Sequence, residues 1–156
     1  MNAAHFHLSV NHLPIILPIA GVIVLLIGYF TKSEIVKRTA YFIFILGAIA
    51  TIPAFGSGEG AEEFIEKMQG IDKKFIHEHE EKAEVFAIFS YLLGFLSLIT
   101  LWLSWKKNSF ARYFSYLIAI LAIAVIFFAK QTGTSGGEIR HTEIRTETGS
   151  ITVPSE

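Results

Sequence analysis

Four blocks of apolar residues, separated by polar segments, dominate this chain of 156 residues. Each block is long enough, or nearly so, to cross a bilayer, which takes about 20 apolar residues. A spanning segment must be helical, because backbone polar groups without partners are too costly in lipid. The pattern therefore predicts four membrane-spanning helices, at about 13–30, 39–55, 83–105 and 110–129.

The polar segments predict further elements outside the spans. The loop 56–82 begins with glycines and then carries a stripe of apolar residues at helical spacing, which predicts a short amphipathic helix on the membrane surface. That stripe consists of Ala61, Phe64, Ile65 and Met68. Gly70 is expected to end this helix, and Asp72 is a good N-cap for another that continues into the third span. In the tail 130–156, the alternation in EIRHTEIRTE predicts a short strand or an extended segment.

Composition narrows the class of protein. The absence of cysteine excludes disulfides, thiolate metal sites and covalently attached c-type haem. A formal net charge of −1 gives no case for nucleic-acid binding. The first apolar block has no basic region before it, unlike a cleaved signal peptide. We therefore expect a single all-α domain, 1–156: an integral membrane four-helix bundle with a short outer helix and an extended C-terminal tail.

The charges of the loops predict the orientation. The two short linkers are basic, with TKSEIVKR carrying three cations against Glu34 and KKNSFAR carrying three cations and no acid. Under the positive-inside rule both linkers are cytoplasmic, so the acidic loop 56–82 and both termini are extracytoplasmic. We expect the protein in the bacterial cytoplasmic (inner) membrane, with the lipid bilayer as its first partner.

This topology places all six histidines on the extracytoplasmic side. Neighbouring helices of such a bundle are usually antiparallel, so the outer ends of the spans meet within one bundle width. His12, Glu59, His79 and His141 can therefore converge there, with Glu62 and Glu63 nearby. Three other histidines rank lower, because helix geometry lets them face water: His5, His7 and His77. His77 and His79 are two residues apart and cannot share a helix face.

Several segments carry a resemblance to a known family. They are HFHLSVNHLPI, GEGAEE with IHEHEEKAE, and GGEIRH, in this order around four spans. The chain resembles a family of small bacterial four-helix membrane proteins of unassigned function, with Gly60 where a proline is expected. The resemblance implies a four-helix membrane fold and singles out the same outer residues. Members joined to cytochrome-type domains favour a redox role.

Three hypotheses for function stay open at this point. His12, His79 and His141 could supply axial ligands to a b-type haem, with room for the ring at Gly21, Gly47 and Gly94, although helix packing is the commoner reason for such glycines. Alternatively, these histidines with Glu59, Glu62 or Glu63 could hold a non-haem transition metal such as iron, copper or zinc. We expect a redox or electron-transfer role with other membrane or extracytoplasmic redox proteins, and a non-haem site with an open position would also allow Lewis-acid or oxygen chemistry.

The third hypothesis needs no metal. The outer glutamates, histidines and arginines would form a salt-bridged lid, and the protein would be an accessory or structural subunit of a membrane complex. Glu138 with Arg140, and Glu143 with Arg145, would fit such a lid. The sequence leaves open whether the protein is an enzyme and in which oligomeric state it exists.

Overall fold

A computed structural model describes residues 2–67 and 72–145, and six α-helices hold most of them. They are α1 (Ala3–Val10), α2 (Leu13–Phe30), α3 (Glu34–Gly56), α4 (Gly58–Glu66), α5 (Lys73–Trp105) and α6 (Phe110–Glu138). Four helical stretches, which contain α2, α3, α5 and α6, are long and apolar enough to cross a membrane. The predicted all-α, multi-pass four-helix membrane fold is thereby confirmed.

The spanning helices pack in the order α2, α3, α5, α6, and α6 closes the ring against α2. Side-chain hydrogen bonds fix the antiparallel arrangement, because the end of one helix contacts the beginning of another. The Tyr29 hydroxyl, late in α2, donates to the carbonyl oxygen of Ser115, early in α6, at 2.8 Å. The chain thus runs up, down, up and down through the bundle.

Small and hydroxyl-bearing residues line the inside of α5. Ser90, Ser97 and Ser104 recur every seven residues and are all buried. A seven-residue spacing keeps a stripe facing the neighbouring helix, and small side chains let the backbones approach closely in lipid. Thr51 of α3 and Ser90 of α5 share a hydrogen bond of 2.8 Å there, so these two polar groups satisfy each other.

The two ends of the bundle differ in chemistry. We call one the basic end; it is formed by the linkers 31–33 and 106–109 and the adjoining helix ends. Its cations are Lys32, Lys37, Arg38, Lys106, Lys107 and Arg112. We call the other the histidine end; it is formed by α1, α4, the first turns of α5 and the last turns of α6.

The histidine end is more helical than the sequence predicted. The predicted cap at Asp72 is confirmed, because its carboxylate accepts a hydrogen bond from the Lys74 amide at 2.9 Å. The amphipathic outer helix is also present as α4, but it already contains the glycines at 58 and 60, which were expected to be flexible. It packs against α1, a helix that the sequence analysis did not predict. The predicted positions of Met68 and Gly70 lie outside the described residues.

The C-terminal segment corrects one expectation. The strand or extended tail was wrong for its described part, because α6 continues to Glu138 and a 3-10 turn follows at Thr142–Ile144. The helix has no proline to stop it there, and Gly136 and Gly137 are tolerated inside it. The chain then folds back, since the Arg145 Nε donates to the Glu138 carbonyl oxygen at 2.7 Å. Residues 146–156 of the predicted tail lie outside the described residues.

Candidate functional site

His7 is a half-buried side chain that joins α1 to the end of α3. Its Nδ1 lies 3.0 Å from the Ala54 carbonyl oxygen and 3.1 Å from the Ser57 hydroxyl. The Ser57 hydroxyl itself donates to the Ala54 carbonyl at 3.0 Å. A carbonyl oxygen only accepts, so the neutral His7 ring must carry its proton on Nδ1. Its Nε2 therefore keeps a lone pair.

His79 repeats this arrangement between α5 and α6. Its Nδ1 lies 3.1 Å from the Ser135 hydroxyl, which in turn donates to the Thr132 carbonyl oxygen at 3.1 Å. The serine proton is already used, so the hydroxyl accepts from Nδ1–H and Nε2 of His79 again keeps a lone pair. Gly136 makes room for the ring, because a Cβ there would lie 3.1 Å from the His79 Cε1.

The same local structure positions both rings. In each case a serine near the end of a helix bonds back to the carbonyl three residues earlier, Ser57 to Ala54 and Ser135 to Thr132. Serine often makes such backbone bonds, because its short hydroxyl reaches the preceding turn. The serine oxygen and the carbonyl then present a ready acceptor pair to an imidazole from another helix.

We call His7 and His79 the His pair, because a positive charge on His7 would disfavour protonation of His79. Burial lowers the pKa of His7, and the hydrogen bond to Ala54 opposes this in part. Burial also lowers the pKa of His79, followed by repulsion from His7 and, more weakly, from Lys82, while a hydrogen bond to Thr132 opposes them. Both rings lie outside the apolar segments 13–30 and 83–105. They are therefore neutral at pH 7 and close enough for two positive charges to repel.

Of the predicted ligands, His79 belongs to this pair and the other two histidines lie elsewhere. His12 is exposed at the N-terminus of α2, where its side chain makes no capping bond. His141 is exposed after α6, and its Nδ1 contacts the Glu143 carboxylate at 2.9 Å. A hydrogen bond from the Glu143 backbone amide, followed by the one from His141, lowers the pKa of the Glu143 carboxyl group.

The predicted carboxylate ligands lie on α4. Glu59 is exposed in its first turn. Glu63 is exposed and pairs with Lys67 at 2.9 Å, which lowers the pKa of its carboxyl group. Glu62 is partly buried, and this burial together with the nearby carboxylates of Glu80 and Glu66 raises its pKa.

These placements do not assemble the expected ligand set. Among residues 2–67 and 72–145, no three histidine, aspartate or glutamate side chains are grouped so that they could hold a metal ion. The His pair supplies two imidazoles and no carboxylate. His7, which ranked low because it was expected to face water, is thus the partner that the sequence analysis missed.

Neighbouring side chains fill the space beside the three glycines that could have accommodated a haem ring. A Cβ at Gly21 would overlap the Phe44 ring, and a Cβ at Gly94 would overlap the Cβ of Ala48. At Gly47 the added atom would lie 3.4 Å from the Pro18 ring. The glycines therefore serve close packing of α2, α3 and α5, as small residues commonly do in membranes.

Further contacts close the histidine end over the bundle. The Arg145 guanidinium stacks over the Phe75 ring at 3.9 Å from its centroid, a cation–π contact between the chain after α6 and the start of α5. Lys73 of α5 pairs with Glu66 of α4 at 3.0 Å. These contacts lie outside the apolar segments and tie α4, α5 and the C-terminal turn together.

Comparisons of the chain with protein-family models, with curated proteins and with solved structures found no match. The four-helix membrane class therefore rests on the fold itself, and the family resemblance noted from the sequence stays a prediction.

Proposed function

We propose that the His pair is a transition-metal centre in a small multi-pass protein of the bacterial inner membrane. The observation that supports this is the tautomer that the two rings share. In both, Nδ1–H is held by a serine oxygen and a carbonyl, which leaves the Nε2 lone pair for a ligand. Metal-binding histidines generally donate their second nitrogen in this way, because the bond fixes both the ring and its tautomer.

The donor set indicates the class of metal. Two neutral imidazoles suit copper, zinc or iron, and the chain has no thiolate to offer instead. Because two protein donors leave coordination positions open, water or a donor from a partner protein would complete the site. Bound copper or iron would supply one-electron chemistry, whereas zinc would act as a Lewis acid. An electron-transfer role with a second redox protein belongs to the same proposal.

The proposed orientation places this centre outside the cytoplasm. The basic end carries a concentration of lysine and arginine in short linkers, which the positive-inside rule assigns to the cytoplasm. The histidine end, with both termini, then faces the extracytoplasmic side. A reporter enzyme that is active only on one side of the membrane tests this orientation. It is fused to residue 156 in one variant and inserted into the linker 106–109 in another, and only one of the two fusions should be active.

Metal titration of the purified protein tests the centre. The protein is purified in detergent, stripped with chelator and titrated with copper, zinc and ferrous iron, with the visible spectrum and bound metal recorded on the same sample. We expect one ion per chain for the wild type. We expect its loss in His7→Asn and in His79→Asn, because asparagine retains an N–H near the Nδ1 position and removes Nε2.

Control variants distinguish binding at the His pair from binding at the other histidines that the sequence predicted as ligands. His12→Ala and His141→Ala change exposed histidines at the same end and should leave binding unaltered. If metal binding were lost in His12→Ala and His141→Ala but retained in His7→Asn, the metal site would instead be the one predicted from the sequence. A folded protein that takes up no metal, or whose uptake survives both asparagine variants, would overturn the proposal. Haem absorption bands would identify a cytochrome in place of a single-ion centre.

A second candidate is an accessory subunit of a membrane complex. It is favoured by the contacts that close the histidine end, notably Arg145 over Phe75 and Lys73 with Glu66. They fit a structural lid that includes a cation–π contact, hydrogen bonds from Arg145 to the carbonyl oxygens of Glu138 and Ile139, and the ion pair of Lys73 with Glu66. If the protein is such a subunit, we expect its thermal stability to be the same with and without metal. If the His pair binds metal only in the folded chain, we expect thermal stability to increase with metal concentration.

A further inference from the structure

A groove opens between α5 and α6 at the histidine end, beside the part of α5 that carries His79. It has a volume of about 230 Å³. Three residues of α5 and two of α6 line it: Glu81, Lys82, Val85, Phe128 and Gln131. Phe128 also packs on Phe89, with ring centroids 4.6 Å apart, so the apolar wall of the groove continues along the bundle.

The groove lies at the ends of two apolar segments, where a spanning helix would pass from hydrocarbon to headgroups. Its two apolar lining residues, Val85 and Phe128, lie inside the apolar segments 83–105 and 110–129. Its polar lining residues, Glu81, Lys82 and Gln131, lie just outside those segments. A lipid that occupied the groove would therefore meet apolar surface with its acyl chain and polar groups with its headgroup.

The polar lining offers both signs of charge. Lys82 is partly buried and makes no ion pair within the described part of the chain. A lysine at this depth buries its methylene stem and extends its ammonium towards the headgroup layer. The Glu81 carboxylate lies 3.4 Å from the Nε2 of His77, and its side chain is exposed although it also lines the groove. The Gln131 amide adds a neutral donor beside them.

We propose that this groove binds the headgroup of a phospholipid that carries a phosphate and a primary ammonium group, as phosphatidylethanolamine does. Lys82 and Gln131 donate to the phosphate, and Glu81 accepts from the ammonium. The acyl chain follows Val85 and Phe128. Because Glu81 repels a second negative charge, the groove discriminates against lipids with a net anionic headgroup. Neither ring of the His pair lines the groove, so lipid binding there can be tested separately from metal binding.

Native mass spectrometry of the delipidated protein in detergent, titrated with single lipids, tests the proposal. The lipids are phosphatidylethanolamine, phosphatidylglycerol and diacylglycerol with the same acyl chains. We expect phosphatidylethanolamine to bind most tightly. Lys82→Ala should weaken its binding about tenfold, as loss of one charge-assisted hydrogen bond implies. Lys82→Arg should retain most of the binding.

Lys130→Ala is the matched control, because Lys130 precedes Gln131 on α6, is exposed and does not line the groove. An equal loss of lipid binding in Lys130→Ala would show general attraction of lipid to positive charge and would overturn the proposed binding in the groove. Equal binding of diacylglycerol would exclude recognition of the phosphate. Glu81→Gln should abolish the preference for phosphatidylethanolamine over phosphatidylglycerol. A preference that is absent in the wild type, or unchanged in Glu81→Gln, would overturn the role of the ammonium group.

Discussion

Arg38, near the start of α3, donates hydrogen bonds to both oxygen atoms of Ser104 at the C-terminal end of α5. Its Nε donates to the Ser104 hydroxyl at 2.8 Å, and one terminal nitrogen donates to the Ser104 carbonyl oxygen at 2.6 Å. The Ser104 carbonyl oxygen also accepts from the Lys107 amide at 3.1 Å, so Arg38 supplies a further donor, and its charge complements the C-terminal end of the helix dipole. Arg38 thereby fixes the register of two antiparallel helices at the basic end.

The first prediction concerns the two hydrogen bonds from Arg38 to Ser104. Arg38→Lys keeps the charge but cannot make both bonds in the same geometry. We expect both Arg38→Lys and Arg38→Ala to lower the free energy of unfolding by about 1–3 kcal/mol. Thermal unfolding in detergent measures the change. Arg112→Ala, an exposed cation at the same end, should leave the midpoint unaltered. A wild-type midpoint for Arg38→Lys would show that charge alone holds the contact.

The second prediction concerns the buried hydroxyls at the start of α6. The Tyr41 hydroxyl donates to the Ser115 hydroxyl at 2.7 Å, and both side chains are buried. Ser115→Ala leaves the tyrosine hydroxyl without that acceptor and should cost about 1–3 kcal/mol of stability. Tyr41→Phe combined with Ser115→Ala removes this hydrogen bond from both sides, and the Tyr29 hydroxyl keeps the Ser115 carbonyl oxygen as its acceptor, so the double variant should cost less than the sum of the single ones. Strict additivity in this double-mutant cycle would show that the two groups do not interact.

The third prediction concerns the close approach of α3 and α5. A methyl group at Gly94 would overlap the Ala48 Cβ, so Gly94→Ala should destabilise the protein by about 1–3 kcal/mol. Adding Ala48→Gly moves the methyl from one helix to the other and should restore much of the loss. Gly56→Ala is the control, because a Cβ there meets nothing within 4 Å. Equal effects of Gly94→Ala and Gly56→Ala would show helix propensity, not packing.

The fold could be predicted from sequence to a large extent, because lipid leaves few structures for an apolar block. Hydropathy located the spans, and the side-chain oxygen of Asp72 marked the start of α5. The helix period also separated His77 from His79 correctly, since His77 is 70 % exposed while His79 is partly buried. Local rules of this kind hold because they depend only on neighbours along the chain.

The site could not be predicted in the same way, because it depends on contacts between distant helices. His7 meets an acceptor formed 47 residues later in the chain, at Ala54. Nothing in the spacing of the histidines distinguishes His7, which is half-buried, from His12, which is exposed. The serine three residues after the accepting carbonyl is a real signal, but serines near helix ends are too common to have singled out Ser57 and Ser135.

The last prediction concerns pH and uses the His pair. The pKa of each ring in the folded protein lies below the ordinary value of 6.5, so the unfolded chain binds protons more readily than the folded one. The contribution of these two rings to the free energy of unfolding is therefore highest above pH 6.5 and falls as pH drops below that value, until the folded rings protonate as well. This decline is measured by the thermal midpoint of the metal-free protein between about pH 8 and pH 5. These limits lie about 1.5 pH units either side of the ordinary pKa of histidine.

Substitutions separate the His pair from the other titrating groups. His7→Asn and His79→Asn should each flatten the decline, and the double variant should flatten it most, because asparagine does not titrate. His77→Asn changes an exposed histidine on the same helix as His79 and is the matched control for the substitution itself. A decline that survives in the double variant would assign the acid sensitivity to the glutamates of the histidine end. Since repulsion between the rings contributes to the low pKa of His79, His7→Asn should also raise the pKa of His79, which NMR titration of its ring can follow.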